Sequence, residues 1–383
     1  MSAVAAPEQR RRARFSLSPD AWTVEQRQLP PHGIRAVIFG GSILGAVLIG
    51  AVLLASAGYA PLDVYRQMLD SSFGSSLAFS QTLIVTTPLI LTSLAAAVAY
   101  KVRVYTVGAD GQLVVGAIFG SGAALALGGG LPAALTIPLA LAAAIVGGAL
   151  WASIAGFARA YLNADVIIST LMLNFIAIGL MNYLVLNTMS FWRDPASAGQ
   201  PAGKPTPHSA LLPHLFQQAD VGIFVAIAVA ALIWLLVHHT RWGFELRVVG
   251  DSPRAAGYAG ISVRRKILAV LCLSGALAGL AGGIQVTNVT QALDPTGLDP
   301  GLGLGYAGIV VATLARLNLL ACVPVSLMIG ALLNAGPALE VAGVPTAVVV
   351  VLQGTILLLV TGSQFFLSYR IRRVGAQEEA GRS

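Results

Sequence analysis

Long apolar runs constrain this chain more than any other feature of its sequence. A transmembrane helix needs about 20 mostly apolar residues to cross a hydrocarbon core of about 30 Å. Of the 383 residues, 56% are hydrophobic and only 10% are charged, with a mean hydropathy of +0.79. We predict an all-α, polytopic transmembrane helical bundle of about ten spans, near residues 35–58, 79–100, 108–128, 131–158, 165–187, 220–239, 266–287, 304–316, 319–341 and 345–368.

The eighth predicted span, residues 304–316, is too short to cross the membrane unaided. We expect it to be half-buried or to begin in an unwound segment, which membranes tolerate only where protein or a wet cavity surrounds the backbone.

The distribution of basic residues predicts the orientation. With both termini in the cytoplasm, 20 of the 23 Lys and Arg residues fall in inside segments, as the positive-inside rule expects. The predicted organisation is a cytoplasmic tail (1–34), a membrane domain (35–368) with an outer loop (189–219) and an inside loop (241–265), and a second cytoplasmic tail (369–383). The basic residues lack interleaved aromatic residues, so nucleic acid is not a predicted partner.

The inside loop predicts a short helix that could meet a soluble partner. Ser252 suits a helix cap, Pro253 the first helical position and Gly260 a left-handed end. The side chains expected to enter a cleft on the partner are Ala255, Ala256, Tyr258 and Ala259, while Arg247 and Arg254 would reach carboxylates on its rim. Simple attachment of a basic loop to anionic lipid is the alternative.

Asp110 lies in a Gly-rich entry to the third span, where a carboxylate at membrane depth costs about 2.5 to 3.5 kcal/mol unless it faces protein or water. It either caps its own helix, through the N–H groups of residues 112 and 113, or contacts a transported solute.

The fifth span carries polar residues on one face. Thr170 and Asn174 are four residues apart, and Asn182 follows them. This face should look into the bundle, either lining a pathway or making helix-to-helix hydrogen bonds.

Glycine patterns indicate close packing and internal symmetry. Gly275, Gly279 and Gly283 form a smooth stripe on the seventh span, to which we assign packing and no ligand. The Gly-rich entries to the third and eighth spans run in opposite directions. We therefore predict an inverted repeat of spans 2–5 and 7–10.

No enzyme is predicted. The five histidines form no Ser-His-Asp or metal constellation, and Gly303 to Gly308 matches GxGxxG without a preceding strand.

In five ordered segments the chain resembles permeases of bacterial ATP-binding-cassette importers, in the branched-chain amino acid and simple-sugar superfamily, and most closely the nucleoside-type branch. These segments are Thr106 to Gln112, Asp165 to Asn174, Gly243 to Ile261, Ser274 to Gly282 and Gly305 to Arg316. Asp110 stands where that pattern has Glu, a change that keeps the charge and shortens its reach.

The resemblance implies a subunit of the bacterial cytoplasmic membrane that has no ATPase site and binds no cofactor, since ATP and Mg would be held by a partner ATP-binding subunit. A second homologous permease, identical or distinct, and an extracytoplasmic binding lipoprotein are further implied partners. The solute pathway would involve Asp110, Gln112, Thr170, Asn174, Asn182 and Tyr306. The loop coupled to the ATPase would involve Arg247, Gly250, Pro253, Arg254, Ala255, Ala256, Tyr258 and Gly260.

The predicted substrate is a nucleoside or a related small polar solute. A simple sugar such as a pentose is the alternative, because its hydroxyls would use the same hydrogen-bonding groups. An ATP-independent secondary carrier or channel is a third reading, and it would not require a docking helix.

Overall fold

The structure is a computed structural model that describes residues 22–26, 32–197, 202–216, 218–294 and 303–373. Most of the two predicted tails lies outside these ranges. The first helices are α1 (His32–Ser56), α2 (Pro61–Phe73), α3 (Ser76–Lys101), α4 (Ala109–Leu127), α5 (Ala133–Leu162) and α6 (Val166–Asn182), which continues as a π-helical segment (Tyr183–Asn187). The later helices are α7 (Gly222–His239), α8 (Arg241–Asp251), α9 (Pro253–Tyr258), α10 (Val263–Ile284) with a π-helical continuation (Gln285–Val289), α11 (Leu304–Leu314), α12 (Cys322–Val341) and α13 (Thr346–Ser368).

Short strands accompany the helices in the described residues: β1 (Trp22–Gln26), β2 (His214–Phe216), β3 (Ala219–Asp220) and β4 (Tyr369–Arg373). The fold is therefore mainly α-helical, as predicted. The chain divides into two compact units, one made of residues 1–52 and 354–383 and the other of residues 53–353.

In the first unit, β1 pairs with β4 in antiparallel register, from Trp22 opposite Arg373 to Gln26 opposite Tyr369.

Within the described residues, seven helices are long and apolar enough to cross a membrane: α3, α4, α5, α6 with its continuation, α7, α10 with its continuation, and α12. A further bent pair, Leu44–Ser56 with Pro61–Phe73, turns by 118°, and two shorter apolar helices are Leu304–Leu314 and Thr346–Leu359. The chain is an integral membrane protein, and the count of ten spans stays a prediction. The predicted shortness of the eighth span is confirmed, since the 11 residues of α11 rise only about 16 Å.

Sequence reasoning missed α2 because Asp63, Arg66 and Asp70 interrupt its apolar pattern. One face of α2 packs on the bundle, where the Ser72 hydroxyl donates to the Ala331 carbonyl at 2.8 Å. On another face of α2, Leu62, Leu69 and Phe73 are exposed. A helix with one face on protein and another that is apolar and exposed suits a position along a membrane surface.

The second unit is organised around α3, whose residues from Leu89 to Ala99 are almost fully buried. Its buried Ser and Thr hydroxyl groups donate to carbonyls of α3 itself or of a neighbouring helix, as Thr82 does to the Ser72 carbonyl of α2 at 3.0 Å. Thr86 donates to the Thr82 carbonyl at 2.7 Å and Ser93 to the Ile90 carbonyl at 2.8 Å. Polar side chains therefore occupy the core without leaving an unpaired donor.

The glycine stripe of α10 packs against α5 and α4, as the sequence predicted. Gly279 faces Gly148 of α5 and Gly116 of α4 so closely that a Cβ on Gly279 would lie 2.9 Å from the Gly148 Cα. In a membrane, where hydrophobic association between helices is weak, such backbone approach supplies much of the packing energy.

Gly279→Ala should lower the free energy of unfolding by about 1 to 3 kcal/mol, because the helices must separate to admit the methyl group. The matched control is Gly179→Ala on α6, whose added Cβ would have no neighbour within 4 Å. Thermal unfolding of both variants in detergent measures the difference. Equal stabilities would show that α5 and α10 do not approach closely here.

Candidate functional site

The inside loop folds as two helices, α8 and α9. Ser252 accepts the Ala255 N–H at 3.3 Å and Pro253 occupies the first position of α9. Gly260 has φ +76°, the left-handed conformation expected after this helix. The predicted two-turn helix is thus found. The preceding α8, capped by Thr240, was not anticipated.

The surface of α9 differs from the expectation at Ala256. Tyr258 is 94% exposed, and Pro253, Arg254, Ala255 and Ala259 are also exposed, as a partner-facing helix requires. Ala256 is instead fully buried in this chain, because it lies on the inner face of the helix one residue from the exposed Ala255.

The preceding helix α8 anchors α9 to the bundle. Arg247 is exposed and donates from Nη1 to the Val237 carbonyl at 2.8 Å, at the end of α7, and its expected contact with a partner stays a prediction. Gly250 is buried against the Lys101 carbonyl at the end of α3, and an ion pair of 3.8 Å joins Arg103 to Asp251. The contacts of Arg247 and Gly250 therefore hold α8 in place.

A cluster of polar residues, which we call the polar junction, joins the first turn of α4 to α6 and α11. Its members are Asp110, Gln112, Thr170, Asn174 and Tyr306, five of the six residues predicted for the pathway. Asn182 is not part of it, because it lies at the end of α6, half-buried and two turns beyond Asn174.

Asp110 does not cap its own helix, which begins without a side-chain cap. Its Oδ1 accepts the Gly305 N–H at 2.8 Å, from a residue 195 positions away in the chain. The Tyr306 backbone N–H also interacts with this carboxylate. Asp110 therefore caps the N-terminus of α11, where a negative charge is favoured by the unpaired N–H groups and the helix dipole.

Close approach at this contact depends on Gly305. A Cβ on Gly305 would lie 2.5 Å from the Asp110 nitrogen and 2.6 Å from Oδ1. Any other side chain would therefore push α11 away from α4.

Asn174 joins all three elements of the junction. Its Oδ1 accepts the Gly111 N–H at 2.9 Å, and its Nδ2 donates to the Val107 carbonyl at 2.9 Å and to the Tyr306 hydroxyl at 3.3 Å. The structure thus gives Asn174 the helix-to-helix hydrogen bonds that were one of its two predicted roles.

Thr170 supports the turn before α4. Its Oγ1 accepts the Val107 N–H at 3.3 Å while donating to the Val166 carbonyl at 2.7 Å. Thr92 of α3, which the sequence analysis did not single out, lies with Oγ1 3.1 Å from the Leu304 carbonyl. Its polar character in an apolar span was the available signal, and it was weak because α3 contains several such residues.

The junction retains unused hydrogen-bonding capacity. Asp110 Oδ2 and Gln112 Oε1 are buried and have no hydrogen-bond partner. Tyr306 is the accessible member at 37% exposure, whereas the other four are nearly fully buried. Such an arrangement can bind and orient polar groups. Among the described residues, no group of three or more His, Cys, Asp or Glu side chains could hold a metal ion.

Comparison with known proteins identifies a transport family. Residues 78–361 match the family described as "Branched-chain amino acid transport system / permease component". The glucose ABC transporter permease protein TsgB13 of Haloferax volcanii is 33% identical, with 86% of this chain and 88% of the relative covered. The guanosine ABC transporter permease protein NupP of Bacillus subtilis is 32% identical over 88% of this chain and 96% of the relative. The nucleoside ABC transporter permease protein NupB of Lactococcus lactis is 28% identical over 85% and 88%.

Asp110→Ala should uncap α11 and cost about 1.5 to 3 kcal/mol, the range for hydrogen bonds to charged groups. Amide hydrogen exchange across residues 304–308 should accelerate, while exchange in α5 stays unchanged. Asp110→Asn is the matched control, since its amide oxygen can still accept the Gly305 N–H. Unchanged exchange in Asp110→Ala would mean that this carboxylate does not hold α11.

Proposed function

Since the chain belongs to the family of branched-chain amino acid transport permeases, we propose that it is the membrane-spanning subunit of an ATP-driven nucleoside importer. The observation that carries this proposal is the polar junction, which places hydrogen-bonding side chains from three helices around the start of a half-length helix. Transporters commonly bind solutes near the membrane midplane where helices are broken in this way.

A nucleoside suits the chemistry of the junction. Its ribose hydroxyls are neutral donors, and Asp110 Oδ2 and Gln112 Oε1 are acceptors without partners. Tyr306 is partly exposed and offers a ring on which a base can stack. The relatives named for guanosine and for nucleosides agree with this choice.

A pentose or another simple sugar is the second candidate. The relative named for glucose is as similar as those named for nucleosides, and sugar hydroxyls would use the same acceptors. A sugar has no base, so it would make no use of stacking on Tyr306. The two substrates therefore predict different effects of removing that ring.

The exposed face of α9 is the proposed contact with a partner ATP-binding subunit. Arg254 and Tyr258 project from it, and the described residues contain no ion pair for Arg254. Closure of two ATPases would push α9, and α8 would transmit the movement to the end of α3 through the Gly250 contact.

A second permease, identical or homologous, and an extracytoplasmic binding lipoprotein would complete the assembly in a bacterial cytoplasmic membrane. ATP and Mg would bind the ATPases, with no cofactor on this chain.

Two packing contacts support the proposed inverted repeat of α3 to α6 and α10 to α13. Gly308 in the first turns of α11 packs on Thr92 of α3, while Gly282 of α10 packs on Leu113 in the first turns of α4. Each Gly-rich entry thus lies against the first helix of the opposite half. Superposition of the two halves in an experimental structure tests this symmetry, and halves that do not superpose would rule it out.

Uptake of a radiolabelled nucleoside into vesicles that contain the whole assembly tests the function. We expect uptake to require ATP and to stop when the ATPase is catalytically inactive. Unlabelled nucleosides should compete at least about tenfold better than pentoses. Arg254→Glu should weaken ATPase association and slow uptake, because it reverses a charge at the proposed contact.

Arg66→Glu serves as the control for charge reversal, since Arg66 lies on α2, far along the chain from α9. Equal uptake driven by a proton or sodium gradient without ATP would contradict the importer assignment. Preferential competition by pentoses would replace the nucleoside by a sugar while leaving the permease assignment intact.

A further inference from the structure

Three exposed arginines lie at the end of α5 and the start of α10, where the two helices meet. The two helices pack side by side, with Gly156 of α5 against Leu268 of α10. One turn beyond this contact the exposed residues are Arg159 on α5 and Arg264 and Arg265 on α10. The Arg264 guanidinium lies 5.9 Å from the centre of the Tyr161 ring, so Arg264 adjoins the exposed aromatic face of α5.

These positive charges are not neutralised within the described part of the chain. The ion pairs found there involve Arg66, Arg103 and Lys266, and none involves this cluster. Arg159 reaches only the Ala164 carbonyl, at 3.5 Å. Asp165, the acid next to that carbonyl, uses Oδ1 to accept the Ile168 N–H. Lys266, by contrast, is already paired with Glu245.

An exposed apolar surface continues directly from the arginines along α5. Phe157 stacks on Tyr161 with 4.9 Å between ring centres, and both rings are about half exposed. Leu162 is exposed beside them, and Ile154 and Leu150 extend the same face toward the middle of the helix. A face of this composition on a membrane-spanning helix meets acyl chains.

We propose that Arg264 and Arg265, together with Phe157 and Tyr161, form a binding site for an anionic phospholipid. The guanidinium groups bind the headgroup phosphate, since Arg presents several donors that match phosphate oxygens. The acyl chains lie along the aromatic and aliphatic face of α5. This site is distinct from the polar junction and does not depend on which solute is transported.

The geometry favours a lipid over a soluble protein as the occupant. Arg264 adjoins the aromatic face of α5 directly, and α5 is long and apolar enough to cross a membrane, where acyl chains surround it. The order of the side chains, with arginines and tyrosine at the helix ends and aliphatic residues deeper, follows the profile of a bilayer from its surface inward. The charge predicts selectivity for anionic over zwitterionic headgroups.

Native mass spectrometry of the delipidated full chain, titrated with dioleoyl phosphatidylglycerol or dioleoyl phosphatidylcholine, tests the proposal. The wild-type chain should retain phosphatidylglycerol preferentially. The double variant Arg264→Gln/Arg265→Gln should bind it roughly 25-fold more weakly, about fivefold for each arginine. The matched control is Arg241→Gln/Arg316→Gln, which removes two exposed arginines elsewhere and should leave this binding within about twofold.

Further measurements distinguish a lipid headgroup from free phosphate, and a lipid from a protein partner, as the occupant of the site. Inorganic phosphate should not displace the lipid, and displacement would reduce the site to a general anion site and overturn the proposal. Equal loss of lipid in the control pair would also overturn it. Unchanged lipid binding by the Arg264→Gln/Arg265→Gln variant, combined with loss of ATPase association, would overturn it as well.

A second measurement does not rely on a variant that folds. A photoactivatable phosphatidylglycerol, incorporated with the wild-type chain in vesicles, should label residues 157–162 or 264–268 more than α7. Labelling spread evenly over the exposed helices would contradict a specific site.

Discussion

The contact between Asp110 and the N-terminus of α11 is the constraint on which the centre of this molecule depends. A helix that begins inside a membrane exposes N–H groups that no water can satisfy, and a carboxylate at the same depth is equally costly alone. The hydrogen bond from the Gly305 N–H to Asp110 satisfies both the helix end and the carboxylate. The contact requires glycine at position 305 and brings α4 and α11 together. Asn174 then ties α6 to the same point.

The polar junction is also connected to the surface that would receive the ATPase. Gly250 of α8 rests on the Lys101 carbonyl, and the Tyr100 hydroxyl donates to the Thr106 carbonyl at 3.2 Å in the turn before α4. Movement of α9 and α8 therefore reaches the entry of α4 through packed residues.

Much of this architecture could be predicted from the sequence, since hydropathy and charge locate membrane helices directly. The short α11 and the α9 cap at Ser252 followed from length and residue type. The partners of Asp110 could not be predicted, because they depend on a contact 195 residues away. Local reasoning favoured a helix cap or a solute contact, and the structure shows a cap on another helix. The burial of Ala256 and Gly250 was missed for a similar reason, since the composition of a loop does not reveal which face packs inward.

In the proposed function, a nucleoside passes the polar junction of this chain. The most direct measurement is photoaffinity labelling of the assembled importer in membranes with an azido-nucleoside, followed by peptide mapping. Label is expected on residues 106–113, 170–174 or 303–308. Excess unlabelled nucleoside should remove this label, and Tyr306→Leu, which lacks the stacking ring, should reduce it. Label found only on the lipid-facing surface of α5, or unaffected by competing nucleoside, would contradict it.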